Sequence, residues 1–138
     1  MSARSFVDTN LLVYADDRRH AAKQQTARAL IADLFASASG VLSLQVLQEY
    51  FAAARGKLGI EAAEARRKVE LYSHFEVVVP TLDDLLAAID LHRLRGFSLW
   101  DALIVRAALK ARCQVLYTED LQHGQRVDGL RVVNPFLG

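Results

Sequence analysis

The sequence predicts an α/β fold, a three-layer α/β/α sandwich around a mostly parallel central sheet. Short β-rich runs alternate along the chain with longer helical segments, and this alternation is typical of a parallel sheet flanked by helices. The runs are short and rich in valine, as in strands that are covered on both faces. With 138 residues and neither an internal repeat nor a linker, residues 1–138 are expected to form a single domain.

Five short segments are predicted to form strands. The first comes directly before an Asp-Thr-Asn sequence, and the third ends at a proline, which cannot continue a central strand. In chain order the predicted strands are Ser5–Val7, Val41–Ser43, Phe75–Val79, Val115–Tyr117 and Arg131–Val133.

Five longer segments are predicted to form helices, most of them from apolar residues spaced three and four apart. Thr81 is the expected N-cap of the fourth helix, because Asp83 and Asp84 follow it where the helix dipole favours negative charge. In chain order the predicted helices are His20–Ala38, Leu44–Ala54, Ile60–Ser73, a helix that starts at Thr81, and Trp100–Ala111.

The composition excludes several classes of protein. Apolar residues make up 52% of the chain, charged residues 24%, and the formal net charge is +1, which is typical of an ordered globular protein. Cys113 is the only cysteine, so an internal disulfide and a cysteine zinc site are excluded. Neither a signal peptide nor a membrane span is expected, since no apolar run is long enough. The sequence thus predicts a cytoplasmic protein without a membrane partner.

Acidic residues follow the predicted strands in four separate segments. Asp8 comes directly after the first strand, and Glu49 lies in the helix after the second. Asp101 opens the last predicted helix, and Glu119 and Asp120 follow the fourth strand. The carboxyl ends of parallel strands meet at one rim, where α/β proteins bind ligands. Crowded carboxylates repel one another unless they share a proton or a cation, and oxygen ligands favour Mg²⁺ or Mn²⁺.

Four sequence blocks together resemble one known family. These are FVDTNLLVYA, LSLQVLQEYFAA, FSLWDALIVRAAL and VLYTEDLQHGQ, and in this order and spacing they resemble the PIN-domain family, within it the VapC-type toxins. The resemblance covers essentially the whole chain. It implies a parallel sheet between helices, a magnesium-dependent ribonuclease that leaves a 5′-phosphate and a 3′-hydroxyl, a homodimer, and a cognate antitoxin.

The resemblance also implies roles for individual residues. Asp8 and Asp101 match the family's metal-site acids, Glu49 matches its second acid, and Asp120 matches its fourth. Two polar residues are expected to support them. Asn10 would orient the first Asp, and Thr118 would assist beside Asp120. Two questions stay open: whether Glu119 or Asp120 faces the ion, and whether one or two ions bind.

Structural roles are an alternative for the acidic residues. Asp8 begins an Asp-Thr-Asn sequence that is suited to a turn. Asp101 lies three residues after Ser98, where the pair reads as a capping box at the start of a helix. A metal ligand and a helix cap are compatible at Asp101, but a cap alone would also explain the residue.

Two other functions are compatible with an α/β domain of this size. A phosphoacceptor receiver domain needs an Asp at the end of the third strand and a Lys after the fifth. The third strand ends Val79-Pro80-Thr81 and the fifth is followed by Asn134-Pro135, so this function is disfavoured. The second alternative is a catalytically silent PIN-like module that binds RNA or protein.

Basic clusters are compatible with an anionic substrate, since phosphate contacts usually come from Lys and Arg, and ordinary solvated surface is the alternative for each cluster. We expect RNA as the substrate and a homodimer as the assembly. The antitoxin is expected to lay a helix or an extended tail in a groove near the helices at 44–73, with an Arg close to the acids. The basic clusters are Arg18, Arg19 and Lys23, then Arg55 and Lys57, then Arg93 and Arg95.

Overall fold

A mostly parallel six-stranded sheet forms the centre of the computed structural model, which describes residues 3–137. The strands are β1 (Ser5–Val7), β2 (Gly40–Ser43), β3 (Glu76–Val78), β4 (Val115–Tyr117), β5 (Arg126–Val127) and β6 (Leu130–Val133). Their order across the sheet is β3-β2-β1-β4-β6-β5, and only the β5–β6 pair is antiparallel. The predicted parallel sheet is therefore confirmed.

Six helices cover this sheet on both faces. They are α1 (Thr9–Ala15), α2 (Ala21–Ala36), α3 (Leu44–Gly56), α4 (Ala62–Tyr72), α5 (Leu82–Arg95) and α6 (Leu99–Lys110). Helices α1 to α4 contact one another, and α5 packs on α6. Because crossovers between parallel strands are right-handed, the reversal of direction from β3 to β4 places α5 and α6 on the opposite face. The three-layer sandwich predicted from the sequence is confirmed.

The inner strands are apolar because helices cover both of their faces. Phe6, Val41, Leu42 and Leu116 are fully buried. In the parallel register Phe6 pairs with Val41 on one side and with Leu116 on the other. Strands β1 and β4 therefore end at a common rim, and Asp8 and Thr118 are the residues that directly follow them.

Helix α1 was not predicted, since the sequence suggested only a turn after Asp8. Leu11, Leu12 and Val13 are all buried within its seven residues. A short helix that is apolar nearly all round has no amphipathic stripe to reveal it. Asp8 is its N-cap and accepts a hydrogen bond from the Thr9 N–H. Asp8 thus ends the first strand and starts the first helix.

The β5–β6 hairpin differs from the sequence prediction, which has the single strand Arg131–Val133 in this region. Asp128 and Gly129 join the two strands with φ values of 48° and 87°. Positive φ at both central residues is the geometry of a type I′ hairpin turn, which favours Asp-Gly. Among residues 3–137, no helix is long and apolar enough to cross a membrane.

Candidate active site

Asp8 and Thr118 form the buried base of the predicted site. The Asp8 carboxylate is 6% exposed and Thr118 is fully buried. Thr118 Oγ1 donates a 2.8 Å hydrogen bond to Asp8 Oδ2, and the Thr9 N–H donates one of 2.7 Å to Asp8 Oδ1. Both carboxylate oxygens are therefore held in position by residues that follow two adjacent parallel strands.

Glu49 is joined to this base through the side chain of Thr9. Thr9 Oγ1 donates a 2.7 Å hydrogen bond to Glu49 Oε1. Gln45, one turn earlier on α3, donates 3.3 Å hydrogen bonds from Nε2 both to Glu49 Oε2 and to the carbonyl of Trp100. Through these contacts α3 is tied to α1 and to the first turn of α6, where half-buried Asp101 lies.

Asp120 lies at the outer edge of the same group. Asn10 Nδ2 donates a 3.0 Å hydrogen bond to Asp120 Oδ2. The Asp120 N–H donates a 3.1 Å hydrogen bond to Thr118 Oγ1, the same hydroxyl that donates to Asp8. Asn10 and Thr118 thus position Asp120 beside Asp8, on an exposed segment after β4.

Burial is the main cause of the raised pKa of two of these carboxylates, and repulsion between the acids adds to it. Burial raises the pKa of Asp8 to about 6, although hydrogen bonds from Thr118 and Thr9 lower it, and the charges of Asp120 and Glu49 raise it further. The pKa of Asp120 is also raised. Burial is the main cause, a hydrogen bond from Asn10 opposes it, and the charges of Asp101, Glu119 and Glu49 add to it. Carboxylates from four separate segments therefore meet at one rim.

Glu119 and Asp120 have different surroundings, although they are adjacent in the chain. Glu119 accepts a 2.6 Å hydrogen bond from the Tyr14 hydroxyl and a 2.9 Å ion-pair contact from Lys23 Nζ. Burial alone would raise the pKa of Glu119, but these two donors and the charges of Lys23 and Lys57 lower it below its usual value. The charge of Glu119 is thus balanced by a lysine, while that of Asp120 is not.

A cleft of about 470 Å³ opens between α1, α3 and the segment after β4, and we call it the carboxylate cleft. Within it, Asn10 Oδ1 is buried and accepts no hydrogen bond from the rest of the chain that the structure describes. The residues that line the carboxylate cleft are Thr9, Asn10, Val13, Tyr14, Glu49, Ala53, Lys57, Glu119 and Asp120.

The donor set of the rim fits a hard divalent cation in chemical type. It consists of carboxylate oxygens and the unpartnered amide oxygen of Asn10, which are ligands that Mg²⁺ and Mn²⁺ prefer. Within residues 3–137, no three Asp, Glu, His or Cys side chains are close enough to hold an ion together. Mg²⁺ does not require such a cage, because it usually binds one or two carboxylates and keeps several waters.

Two contributors to this rim were missed in the sequence. Thr9 connects Glu49 to the Asp8 segment, and Gln45 connects Glu49 to α6. Neither could be found by charge or spacing, since each acts through a neighbour that is distant in sequence. The Asp-Thr-Asn sequence directly after the first predicted strand is the only local signal for Thr9.

The burial of the Asp8 carboxyl group should make the stability of the protein depend on pH. The pKa of Asp8 is about 6 in the folded state and near 3.8 when exposed, so between these values the folded protein keeps a proton that the unfolded chain has released. The free energy of unfolding therefore falls as the pH rises through this window. Asp8→Asn cannot titrate at this position. From pH 4 to pH 7, we therefore expect its free energy of unfolding to rise relative to that of wild type by up to about 3 kcal/mol.

Urea unfolding of both proteins in EDTA, at pH 4 and at pH 7, measures this difference. Parallel pH profiles for wild type and Asp8→Asn would contradict the assigned environment of Asp8.

The chain is similar to solved structures of a toxin and of toxin–antitoxin complexes. A toxin–antitoxin complex from Klebsiella pneumoniae has a TM-score of 0.69 at 21% identity, over 96% of this chain and 98% of that one. The Mycobacterium tuberculosis VapC20 toxin, which cleaves the sarcin–ricin loop, has a TM-score of 0.63 at 26% identity, over 84% and 91%. VapBC2 from Rickettsia felis, bound to a promoter DNA fragment, has a TM-score of 0.66 at 18% identity, over 93% and 96%.

These similarities agree with the resemblance found in the sequence. No curated protein matches the chain, but the predicted resemblance to VapC-type PIN domains is confirmed by the structural neighbours. The family model for the PIN domain matches residues 5–129, which contain all four acid-bearing segments. The match over this range shows that the chain belongs to the PIN-domain family.

Proposed function

We propose that this protein is the ribonuclease toxin of a type II toxin–antitoxin pair, a single nuclease domain that hydrolyses RNA phosphodiester bonds in the cytoplasm. The observation that carries the proposal is the convergence of four carboxylates on one rim, with Asp8 buried among them. Membership of the PIN-domain family supports a nuclease. The similarity to the sarcin–ricin-cleaving VapC20, at 26% identity, supports RNA as the substrate class.

The acids on this rim would hold Mg²⁺, or Mn²⁺ in its place. We assign Asp8 and Asp101 as the principal ligands, with Asp120 and Glu49 as further acids that bind the ion directly or through water. When bound, the ion neutralises the phosphate and lowers the pKa of a water for in-line attack. The hydrogen bonds from Thr118 and Thr9 orient the Asp8 carboxylate and favour its charged form.

Asp120, rather than Glu119, is proposed to be the fourth acid of the catalytic group. Asp120 is positioned by Asn10 and Thr118, which also contact the Asp8 segment. Glu119 is paired with Lys23 and Tyr14, so we assign it a supporting role that fixes the segment after β4 against α1 and α2.

The antitoxin is proposed to bind an apolar groove between α3 and α4. This groove of about 360 Å³ is almost wholly apolar. It lies within the helices at 44–73, the region expected from the sequence to receive a helix or tail of the partner. Its lining residues are Leu44, Leu47, Gln48, Phe51, Arg66 and Val69.

A homodimer is proposed on the opposite face of the sheet. Helix α5 exposes several leucines there, and Trp100 at the start of α6 is 63% exposed. Covering these side chains would remove apolar surface from water, which favours association. The exposed apolar residues on and beside α5 are Val79, Leu82, Leu85, Leu86 and Leu94.

Two variants at the start of α6 distinguish a metal-ligand role of Asp101 from a role in capping the helix. Ser98 Oγ accepts a 3.1 Å hydrogen bond from the Asp101 N–H, so Ser98→Ala should lose about 0.5–2 kcal/mol of stability. It should keep both a Mg²⁺-dependent rise in melting temperature and RNA cleavage. Asp101→Asn should lose the Mg²⁺ response and the cleavage, with little loss of stability without metal. Thermal melts and cleavage assays, each with Mg²⁺ and with EDTA, measure these effects.

Three outcomes of this experiment would count against the proposal. If Asp101→Asn retains both its Mg²⁺ response and its cleavage rate, the Asp101 carboxylate is not a metal ligand. RNA cleavage by wild type that persists in EDTA, in a sample free of other nucleases, would exclude the metal mechanism. A wild type that binds RNA but never cleaves it would favour a catalytically silent binding module.

Phe51 provides a test of the antitoxin groove. Its side chain is 36% exposed and lines the groove, and burying such a side chain contributes about 1.5–3 kcal/mol. We therefore expect Phe51→Glu to weaken antitoxin binding by at least about tenfold. The control is Leu71→Glu, which changes an exposed apolar residue of α4 outside the groove. Titration calorimetry with the product of the adjacent small reading frame measures both, and equal affinities for the two variants would place the antitoxin elsewhere.

A further inference from the structure

A second cleft lies at the far ends of α1 and α3, and none of the proposed catalytic residues line it. It has a volume of about 530 Å³ and is enclosed by the α1–α2 and α3–α4 connections. We call it the basic cleft, because five of its residues are Lys or Arg and three are acidic. Its lining residues are Asp16, Asp17, Arg18, Arg19, Arg28, Lys57, Leu58, Ile60, Glu64 and Lys68.

Two of the three acids in the basic cleft already have partners within the protein. Asp16 accepts 2.5 Å hydrogen bonds from the Tyr50 hydroxyl and from Lys68 Nζ. Asp17 is 1% exposed and accepts hydrogen bonds of 3.0 and 3.1 Å from the Arg19 side chain. These pairs neutralise the carboxylates of Asp16 and Asp17. The two acids are therefore not available to compensate the other positive charges of the basic cleft.

Three cations of the basic cleft have no such partner. Arg18, Arg28 and Lys57 are exposed, and none lies within ion-pair distance of a carboxylate in residues 3–137. Arg28 Nε donates a 2.7 Å hydrogen bond to the Ala15 carbonyl, which leaves the other guanidinium N–H groups available. The third acid of the cleft, exposed Glu64, offsets one of these three charges, so the basic cleft presents a net positive charge to solvent.

The basic cleft adjoins the carboxylate cleft at Lys57, which lines both. Glu49 and Ala53 of α3 and its C-cap Lys57 are spaced four residues apart, so they form one stripe along the helix. At 1.5 Å per residue, this stripe leads about 12 Å from the acid to the lysine. The charge of Lys57 reaches the rim, where it contributes to the lowered pKa of Glu119.

We propose that the basic cleft binds backbone phosphates of the RNA strand, on one side of the bond that the carboxylate cleft cleaves. This inference rests on the proposed function and adds a path for the substrate. The volume exceeds what one phosphate ion needs, and the cleft offers only Leu58 and Ile60 to anchor the side chains of an acidic peptide. Lys and Arg without base-reading partners bind phosphate irrespective of sequence, so this cleft contributes affinity and register, and not choice of sequence.

The double variant Arg18→Ala/Lys57→Ala tests the path. Binding of a fluorescein-labelled single-stranded RNA oligonucleotide is measured by anisotropy in EDTA, across a range of salt concentrations. The slope of log K against log salt is negative, and each phosphate contact to a single strand contributes about 0.7 to its magnitude. Loss of two contacts should therefore make the slope shallower by about 1.4. Both side chains are exposed and unpaired, so the melting temperature should not change.

The matched control is Arg126→Ala/Arg131→Ala. These exposed arginines face each other across the β5–β6 hairpin, at the distant edge of the sheet. The control removes the same charge and should leave the slope at the wild-type value.

Equal slopes for the two double variants, or no RNA binding by wild type in EDTA, would overturn the inference. The inference would also be overturned if the Arg18→Ala/Lys57→Ala variant bound RNA normally but no longer bound the antitoxin, because the cleft would then bind the partner protein. Cleavage with Mg²⁺ is assayed on the same samples and decides the proposed function separately. Salt-sensitive binding that depends on Arg18 and Lys57, without cleavage, would support the basic cleft and refute the ribonuclease.

Discussion

The buried carboxylate of Asp8 constrains the whole rim of the sheet. It occupies the position where β1 ends and α1 begins, and it can be buried there only because the Thr9 N–H and the Thr118 hydroxyl each bond one of its oxygens. Those donors follow two adjacent parallel strands, so the register of β1 and β4 determines the geometry of the site. Even so, burial and neighbouring acids raise the pKa of Asp8 to about 6, and a cation would relieve this unfavourable state.

Much of the architecture could be predicted from the sequence, because buried parallel strands and long amphipathic helices have strong local patterns. β1 and β4 have the predicted bounds, and Thr81 caps α5 through a capping box with Asp84, as its position suggested. Helix α1 was missed because it is buried nearly all round and too short to show a period. The final hairpin was missed because β5 contains only two residues, although its Asp-Gly turn was visible in the sequence.

The candidate site residues could be chosen from the sequence, but their relationships could not. Family resemblance and position after strands identified the acids. The difference between Glu119 and Asp120 depends on Lys23, which is 96 residues away along the chain and pairs with only one of them. Likewise, two basic clusters that are about 40 residues apart in sequence contribute Arg18 and Lys57 to one cleft. Such properties come from helix packing, and local spacing does not encode them.

If the acids around Asp8 share a divalent cation, anomalous diffraction from crystals soaked in Mn²⁺ will locate that ion. We expect an anomalous peak in contact with the carboxylates of Asp8 and Asp101, and no peak there in Asp8→Asn crystals treated in the same way. Mn²⁺ takes the same kind of oxygen ligands as Mg²⁺, and direct contact with the ion would assign the ligand role to individual carboxylates. A Mn²⁺ peak elsewhere on the protein, with none beside Asp8, would contradict the account.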